Sequence, residues 1–223
     1  MSTRERGTKE RIILAVERLV AERGIGSVPL RDITYAAGQR NSSAIRYHFG
    51  PKPDLLRAVF EYRMGQVNER RLELLAHMHA IGTPSTVRSL VDAWIRPLVA
   101  VTSEPDCFYA RFLAQLSADP NYHVADDWHV ASSLVAVREG IRRALPPDLP
   151  EGIFAERWRM AIHLLVHTVA DQENVSLAEL QKNVDGQWGD WVSRLVDACI
   201  GVLTGFTGSG VVGHLQEHVG ASE

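Results

Sequence analysis

The sequence of 223 residues contains only two cysteines, Cys107 and Cys199. They lie far apart and fit neither a metal-binding nor a redox spacing, so we predict two free thiols in a reducing cytoplasm. No charge-free apolar run approaches the roughly 18 residues that a membrane span needs. The N-terminus has no apolar signal core, so nothing directs export. We therefore expect a cytoplasmic protein with no membrane partner.

The sequence also lacks the motifs of common enzymes. It has no serine nucleophile elbow, phosphate-binding loop or CxxC pair. His163 and His167 have the i, i+4 spacing that can bring two imidazoles to one metal. However, the residues between them are apolar, with no glutamate to act as a base and no third ligand nearby in sequence. We predict no enzyme, no cofactor and no metal site, and a metal-dependent enzyme that uses these histidines is the weakest alternative.

Alternating strand patterns, internal repeats and heptad arrays are missing, whereas apolar residues recur at helical spacing along the chain. We therefore predict an all-α fold. Thr8 can cap the first helix and Gly24 can end it. Pro97 lies inside a helical pattern and should kink that helix. The main helices are predicted at about 9–23, 29–36, 42–48, 151–172 and 187–204, with a helix of about 26 residues beginning at Pro53.

Charge is unevenly distributed along the chain. Residues 1–57 contain 11 basic and 6 acidic side chains, a net charge of +5, whereas the remainder contains 13 basic and 21 acidic ones, a net charge of −8. Only the part of a protein that faces phosphate must be positive. A basic end on an acidic body is therefore typical of a modular DNA-binding protein.

The stretch 30–52 predicts a helix-turn-helix. It contains a short apolar-periodic segment, a tight break at Gly38 and a second short segment of polar and basic side chains. In such a unit the first helix braces the second, whose N-terminal part can enter the major groove of DNA. Arg can pair with guanine, and Asn or Gln with adenine. We expect base contacts from Gln39, Arg40, Asn41, Ser42, Ser43 and Arg46, and phosphate contacts from Tyr47, His48 and Lys52.

The same stretch resembles the signature of the tetracycline-repressor (TetR) family of bacterial transcription regulators. The resemblance covers about residues 8–60. Nine residues separate Gly38 from His48, where the family more often has eight, so we expect a longer turn or a shifted third helix. Arg46 stands where an aromatic residue is frequent in the family. The matching residues are Ala36-Ala37-Gly38, Ile45, Tyr47-His48-Phe49-Gly50, Lys52 and Leu55-Leu56.

The resemblance implies a homodimer with three parts in each chain: a helix-turn-helix DNA-binding domain at 1–52, a helical effector-binding and dimerisation domain at 53–205, and a flexible tail at 206–223. In the family, the last two long helices usually pair across a two-fold axis. The corresponding interface residues here are Phe154, Ile162, Leu165, Val169, Trp188, Trp191, Leu195 and Ile200. The residues expected to line the effector pocket are Trp94, Phe108, Phe112, Trp128, Trp158 and His163.

These features together predict a dimeric, ligand-responsive regulator, in the first instance a repressor, that binds a palindromic double-stranded operator. An aromatic-rich pocket fits a small apolar or aromatic effector, whose binding would release the DNA. The alternative is a helical ligand-binding protein without DNA activity. The basic and polar residues Arg40, Asn41, Arg46 and Lys52 argue against that alternative.

Overall fold

The computed structural model describes residues 3–119, 132–174 and 191–205. Within these ranges the chain is helical and contains no strand, which confirms the all-α prediction. The tail at 206–223, Trp128 and Trp188 lie outside the described residues. The helices are α1 (Thr3–Arg23), α2 (Leu30–Ala36), α3 (Ser43–Phe49), α4 (Lys52–Ala80), α5 (Val87–Thr102), α6 (Tyr109–Ala118), α7 (Ser132–Ala144), α8 (Glu151–Asn174) and α9 (Trp191–Thr204).

The N-terminal part follows the predicted order of three helices. Helix α1 begins at Thr3, so the prediction that Thr8 caps it was wrong. The residues around Thr8 are mostly good helix formers, and a capping preference alone does not stop a helix. The other end agrees with the prediction, because Gly24 follows Arg23 with a φ of +79° and its N–H donates to the carbonyl of Val20.

Helix α4 links this part to the rest of the chain. Its 29 residues correspond to a length of about 43 Å. It packs against α1 and α3 near its start and against α5 and α7 farther along. One continuous cluster of buried apolar side chains runs from Ile12 in α1 to Leu203 in α9.

The larger helical part is built around α5 and α8. Helix α5 begins with a capping box between Thr86 and Ser89, and it contains Pro97 as predicted. It packs against α4, α7, α8 and α9, while α8 packs against α6 and α9. Helix α6 also packs against α1, so the N-terminal helices contact the larger part through both α4 and α6. No described helix is both long and apolar enough to cross a membrane.

Candidate nucleic-acid interface and effector site

The turn between α2 and α3 occupies residues 37–42. Gly38 turns the chain with a φ of +65°, a conformation that glycine adopts without strain. Its N–H donates to the carbonyl of Tyr35 at 3.0 Å, and the N–H of Gln39 donates to Thr34 at 2.9 Å. The chain therefore leaves α2 through a hydrogen-bonded turn, and α3 begins at Ser43.

The predicted base-reading residues lie on an accessible surface. Ile45 is the buried residue that anchors α3, and Arg46 is exposed next to it. The side-chain oxygen of Asn41 accepts a hydrogen bond from the N–H of Ser43 at 3.0 Å, so this side chain also starts the helix. Arg40, Asn41 and Ser43 are exposed, whereas Gln39 and Ser42 are half-buried. Their contacts with bases remain predictions.

The three predicted phosphate-binding residues differ in position. Tyr47 is 82% exposed, and His48 is half-buried with its ring edge-on to Tyr47. The ammonium of Lys52 donates to the carbonyls of Ile25 and, at 2.9 Å, Val28. Burial lowers the pKa of Lys52, partly offset by Asp119. Lys52 therefore braces the loop between α1 and α2, and its contact with phosphate remains a prediction.

Helix α2 also presents two exposed side chains that were not among the predicted DNA-contacting residues. Tyr35 is 88% exposed, and Arg31 lies one turn earlier on the same face. Buried Ile33 faces the opposite way. The sequence could have indicated this surface, because an arginine and a tyrosine at i, i+4 spacing lie on the side of the helix opposite an apolar residue. Both side chains are of types that contact DNA phosphates.

A buried ion pair connects the N-terminal part to α4. The guanidinium of Arg63 donates to both carboxylate oxygens of Glu17, at 2.6 and 2.9 Å. Burial alone would lower the pKa of Arg63, but the hydrogen bonds and charge of Glu17 raise it. One oxygen of Glu17 also accepts the N–H of Phe108, just before α6, at 2.9 Å. Glu17 therefore joins α1, α4 and α6.

The start of α6 is held from a second side by Glu173 of α8. Its two carboxylate oxygens accept the N–H groups of Ala110 at 2.7 Å and Arg111 at 3.0 Å. Burial raises the pKa of Glu173, although these hydrogen bonds act in the opposite direction. Two carboxylates, one from α1 and one from α8, thus bind the free N–H groups at one helix end.

Two of the predicted pocket residues come together. The indole rings of Trp94 and Trp158 stack with centroids 4.4 Å apart. Phe112 is fully buried and stacks on Tyr109 instead, and Phe108 is half-buried beneath the guanidinium of Arg111. His163 is exposed. Among the five predicted pocket residues that the structure describes, Trp94 and Trp158 are therefore the pair that meets, at one point between α5 and α8.

Arg71 of α4 is buried although it follows Glu69 and Arg70 in a strongly charged run. It is only 2% exposed. Its guanidinium donates to the carbonyls of Ala93 at 3.3 Å and Trp94 at 3.2 Å, and to the hydroxyl of Ser133 at 3.1 Å. Burial lowers the pKa of Arg71 to about 10. It stays charged at neutral pH.

Pro97 explains why an arginine is needed there. In a regular helix the carbonyl of Ala93 would accept the N–H of residue 97, and proline has none. The buried carbonyl of Ala93 would then lack a partner, which costs about 1–3 kcal/mol. Arg71 supplies the missing donor. The signal in the sequence was therefore Pro97, which predicts a donor from a neighbouring element.

The predicted interface residues are largely internal to one chain. Phe154, Leu165, Val169 and Leu195 are at most 4% exposed, so a second copy would meet other side chains of the same helices. Ile162, Trp191 and Ile200 are half-buried. Helix α8 instead presents Ile153 and Met160, which are 40% and 51% exposed. Dimerisation itself remains a prediction.

His163 and His167 lie on the exposed side of α8. Their rings are nearly parallel, with centroids 6.1 Å apart. Among the described residues, no three His, Cys, Asp or Glu side chains are grouped so that they could hold a metal ion. The pair has no third ligand within that part of the chain.

Comparisons with known proteins agree with this architecture. Residues 92–201 match the family described as "Tetracyclin repressor-like, C-terminal domain". Among solved structures, the crystal structure of a TetR family transcription regulator from Marinobacter aquaeolei VT8 at 1.90 Å resolution is similar, with a TM-score of 0.58 and 18% identity. The alignment covers 91% of this chain and 98% of that one, so it establishes a shared fold. No curated protein gives a significant match.

Proposed function

We propose that this chain, which belongs to the TetR family, is a ligand-responsive transcription regulator that binds double-stranded DNA as a homodimer in the cytoplasm. The observation that carries the proposal is the polar, largely exposed surface of α3. This helix packs against α4, which a buried ion pair joins to α1 and, through Glu17, to the start of α6. Such fixed contacts suit a helix that reads DNA, because the orientation of α3 then depends on the position of the larger helical part. The proposal assigns no catalytic activity to the chain.

In the proposed complex, α3 of each copy enters the major groove of one half of a palindromic operator. Two-fold symmetry would place the two reading helices about 34–36 Å apart, one turn of the duplex. Arg46 and the turn residues Arg40 and Asn41 would read base edges. Tyr47 and His48, with Arg31 and Tyr35 of α2, would contact phosphates and fix the register.

Repression fits this arrangement if an effector releases the DNA. An effector lowers DNA affinity only by binding more tightly to a dimer geometry that spaces the two α3 helices incorrectly. Two routes lead from the larger part to α3. One is α4, whose first turns pack against α3; the other is the Glu173–α6–Glu17 connection from α8 to α1.

A gel-shift titration with DNA from upstream of the protein's own gene tests the proposal. We expect a salt-sensitive, sequence-specific complex for the wild type. Arg46→Ala should weaken specific binding by about 1–3 kcal/mol while leaving the fold intact. Asn41→Ala should weaken it at least as much, because it also removes the hydrogen bond to the N–H of Ser43 at the start of α3. Arg96→Ala is the matched control, because it removes an exposed arginine from α5 in the larger part.

The control should bind like the wild type. If both α3-region variants bound the DNA as tightly as the wild type in the gel shift, the assignment of the reading helix would be wrong. If the wild-type protein shifted no DNA fragment from that region, a helical ligand-binding protein without DNA activity would become the better description.

A further inference from the structure

A cleft with a volume of about 490 Å³ opens between α7 and the N-terminal half of α8. Leu134, Trp158 and Ile162 form apolar parts of its wall. We propose that this cleft binds a small carboxylate with a flat apolar body, and that it is the effector site of the regulator proposed above, on which this inference rests. The volume lies within the range of about 300–1,000 Å³ that is usual for small-ligand pockets.

The indole N–H of Trp158 is the first indication of a ligand with an acceptor oxygen. Trp158 lines the cleft and is only 5% exposed. Its Nε1 atom is buried and has no hydrogen-bond partner among the described residues. A buried donor without an acceptor is costly, and buried indole N–H groups usually have a partner. We infer that this donor is on the cleft side of the ring, where a carboxylate oxygen of the ligand would supply the acceptor.

The charged groups around the cleft include a guanidinium that can bind a carboxylate. Arg138 and Arg159 line it together with one acidic residue, Glu156. Arg138 is already engaged, because it forms an ion pair with Glu151 at 2.9 Å and lies over the ring of Phe154. Arg159 is exposed and forms no ion pair with a described residue. It therefore remains available for a ligand carboxylate at the mouth.

The apolar wall fits a flat ring. Trp158 is held in place by its stack on Trp94, which keeps its ring orientation fixed. A ligand ring that packs against Leu134 and Ile162 would bury apolar surface without the entropy cost of ordering a flexible chain. An aromatic carboxylate therefore matches the wall and the charged mouth together.

The cleft is separate from the surface that would meet a second copy. Along α8, Gly152, Ala155, Arg159 and Ile162 follow helical spacing on the side that faces the cleft. Ile153, Met160, Leu164 and His167 follow the same spacing on another side. A dimer formed through the second set leaves the cleft accessible to small molecules.

Two contacts connect the cleft to α4. Trp158 stacks on Trp94, whose carbonyl accepts a hydrogen bond from Arg71. On the opposite wall, Leu134 follows Ser133, whose hydroxyl accepts from Arg71 and also hydrogen-bonds Asn68. A ligand that shifts α7 relative to α8 must change these contacts. Arg71 is therefore in contact with residues next to both walls, and it belongs to α4, which packs against α3.

Calorimetric titration of the full chain with 2-naphthoate and 2-naphthamide tests the ligand class, because the two probes share a ring system and differ in charge. We expect the carboxylate to bind about tenfold more tightly than the amide. Arg159→Gln should reduce this preference to about threefold. Trp158→Phe keeps an aromatic side chain, although a smaller one, and removes the N–H donor. It should weaken the binding of 2-naphthoate by about three- to tenfold.

Arg143→Gln is the matched control, since Arg143 is an exposed arginine of α7 that does not line this cleft. It should leave both affinities unchanged. The inference is overturned if neither probe binds below about 1 mM, if the amide binds as tightly as the carboxylate, or if Arg143→Gln has the effect of Arg159→Gln. Gel shifts on the same preparation separate the two proposals: a protein that shifts its DNA yet ignores both probes retains the regulatory function and loses this ligand site.

Discussion

The carboxylate of Glu17 in α1 and the guanidinium of Arg63 in α4 form a bidentate ion pair in which the two residues are 0% and 6% exposed. Because Glu17 also accepts the N–H of Phe108, α1 cannot shift against α4 or α6 without exposing a charge to an apolar interior. The N-terminal helices are thus fixed to the larger part by a polar contact that has few alternative geometries. Shape complementarity alone would restrict the same movement less strongly.

We expect Glu17→Ala to destabilise the fold by about 3–5 kcal/mol, because it leaves the Arg63 charge buried without a partner. The measurement is urea unfolding followed by circular dichroism. Arg18→Ala is the control, since it breaks an exposed ion pair with Glu22 in the same helix and should cost about 0–1 kcal/mol. Equal losses for the two variants would show that the Glu17–Arg63 pair contributes no more than a surface contact.

The double variant Glu17→Leu/Arg63→Met replaces the pair with apolar side chains. It should recover most of the stability lost by Glu17→Ala, as replacement of a buried pair by apolar residues is often neutral or stabilising. We expect a ligand to change the DNA affinity of this variant less than that of the wild type, because the hydrogen bonds that join α1, α4 and α6 are absent. A response equal to that of the wild type would argue against transmission through this pair.

The helices were predictable because they are encoded locally. Periodic apolar residues and the break at Gly38 place α2 and α3 within about two residues of their positions in the structure. Pro97 was likewise predicted inside α5. The start of α1 was misjudged, since Thr8 satisfies a capping preference without interrupting a helix-forming run.

The tertiary roles were less predictable, because they depend on partners far along the chain. Lys52 belongs to the predicted DNA-binding motif, yet it bonds to carbonyls 24 and 27 residues earlier. Arg71 lies in a charged run and is nevertheless buried. Phe154 and Leu165 have the apolar character of interface residues but pack within one chain. Sequence pattern identifies an apolar face and leaves open what covers it.

The contact between Arg71 and the carbonyl of Ala93 predicts a coupling with Pro97. Arg71→Met removes the donor and should destabilise the wild type, because the carbonyl loses its partner at a cost of about 1–3 kcal/mol. Pro97→Ala restores a backbone N–H that can bond to Ala93. In that background we expect Arg71→Met to cost at least about 0.5 kcal/mol less, as measured in a double-mutant cycle by urea unfolding. Additive effects would show that Arg71 does not compensate for the proline.

Lys52→Met distinguishes a structural role from a phosphate contact. The variant keeps the length of the side chain and removes both hydrogen bonds to the loop before α2. We expect a stability loss of about 1 kcal/mol, because the ammonium is only partly buried. Loss of a phosphate contact would instead reduce the steepness of the plot of log DNA-binding constant against log salt concentration by about 1. A reduced slope with unchanged stability would favour the phosphate role.

Both thiols should be unreactive in the native protein. Burial raises the pKa of Cys107 to about 11 and that of Cys199 to about 12. At pH 8 the thiolate fraction is then about one in a thousand or less. Iodoacetamide should label both residues in concentrated urea and neither in the native state. Since a thiol pKa raised in the folded state favours the folded state at low pH, stability should fall as pH rises from 9 towards 11.

The proposed dimer predicts that one face of α8 is covered by a second copy. Met160 is 51% exposed in the single chain and shares its face with Ile153, Leu164 and His167. In sedimentation velocity at micromolar concentration, the wild type should be a dimer and Met160→Asp should contain a larger fraction of monomer. The reason is that a carboxylate would have to be desolvated at the two-fold axis. Leu72→Asp is the control, with the same 51% exposure on α4. It should leave the dimer intact. If the wild type were itself monomeric, or if both variants dissociated equally, this face of α8 would have no role in assembly. The two α3 helices of a complex would then need another contact between the copies to reach successive turns of the operator.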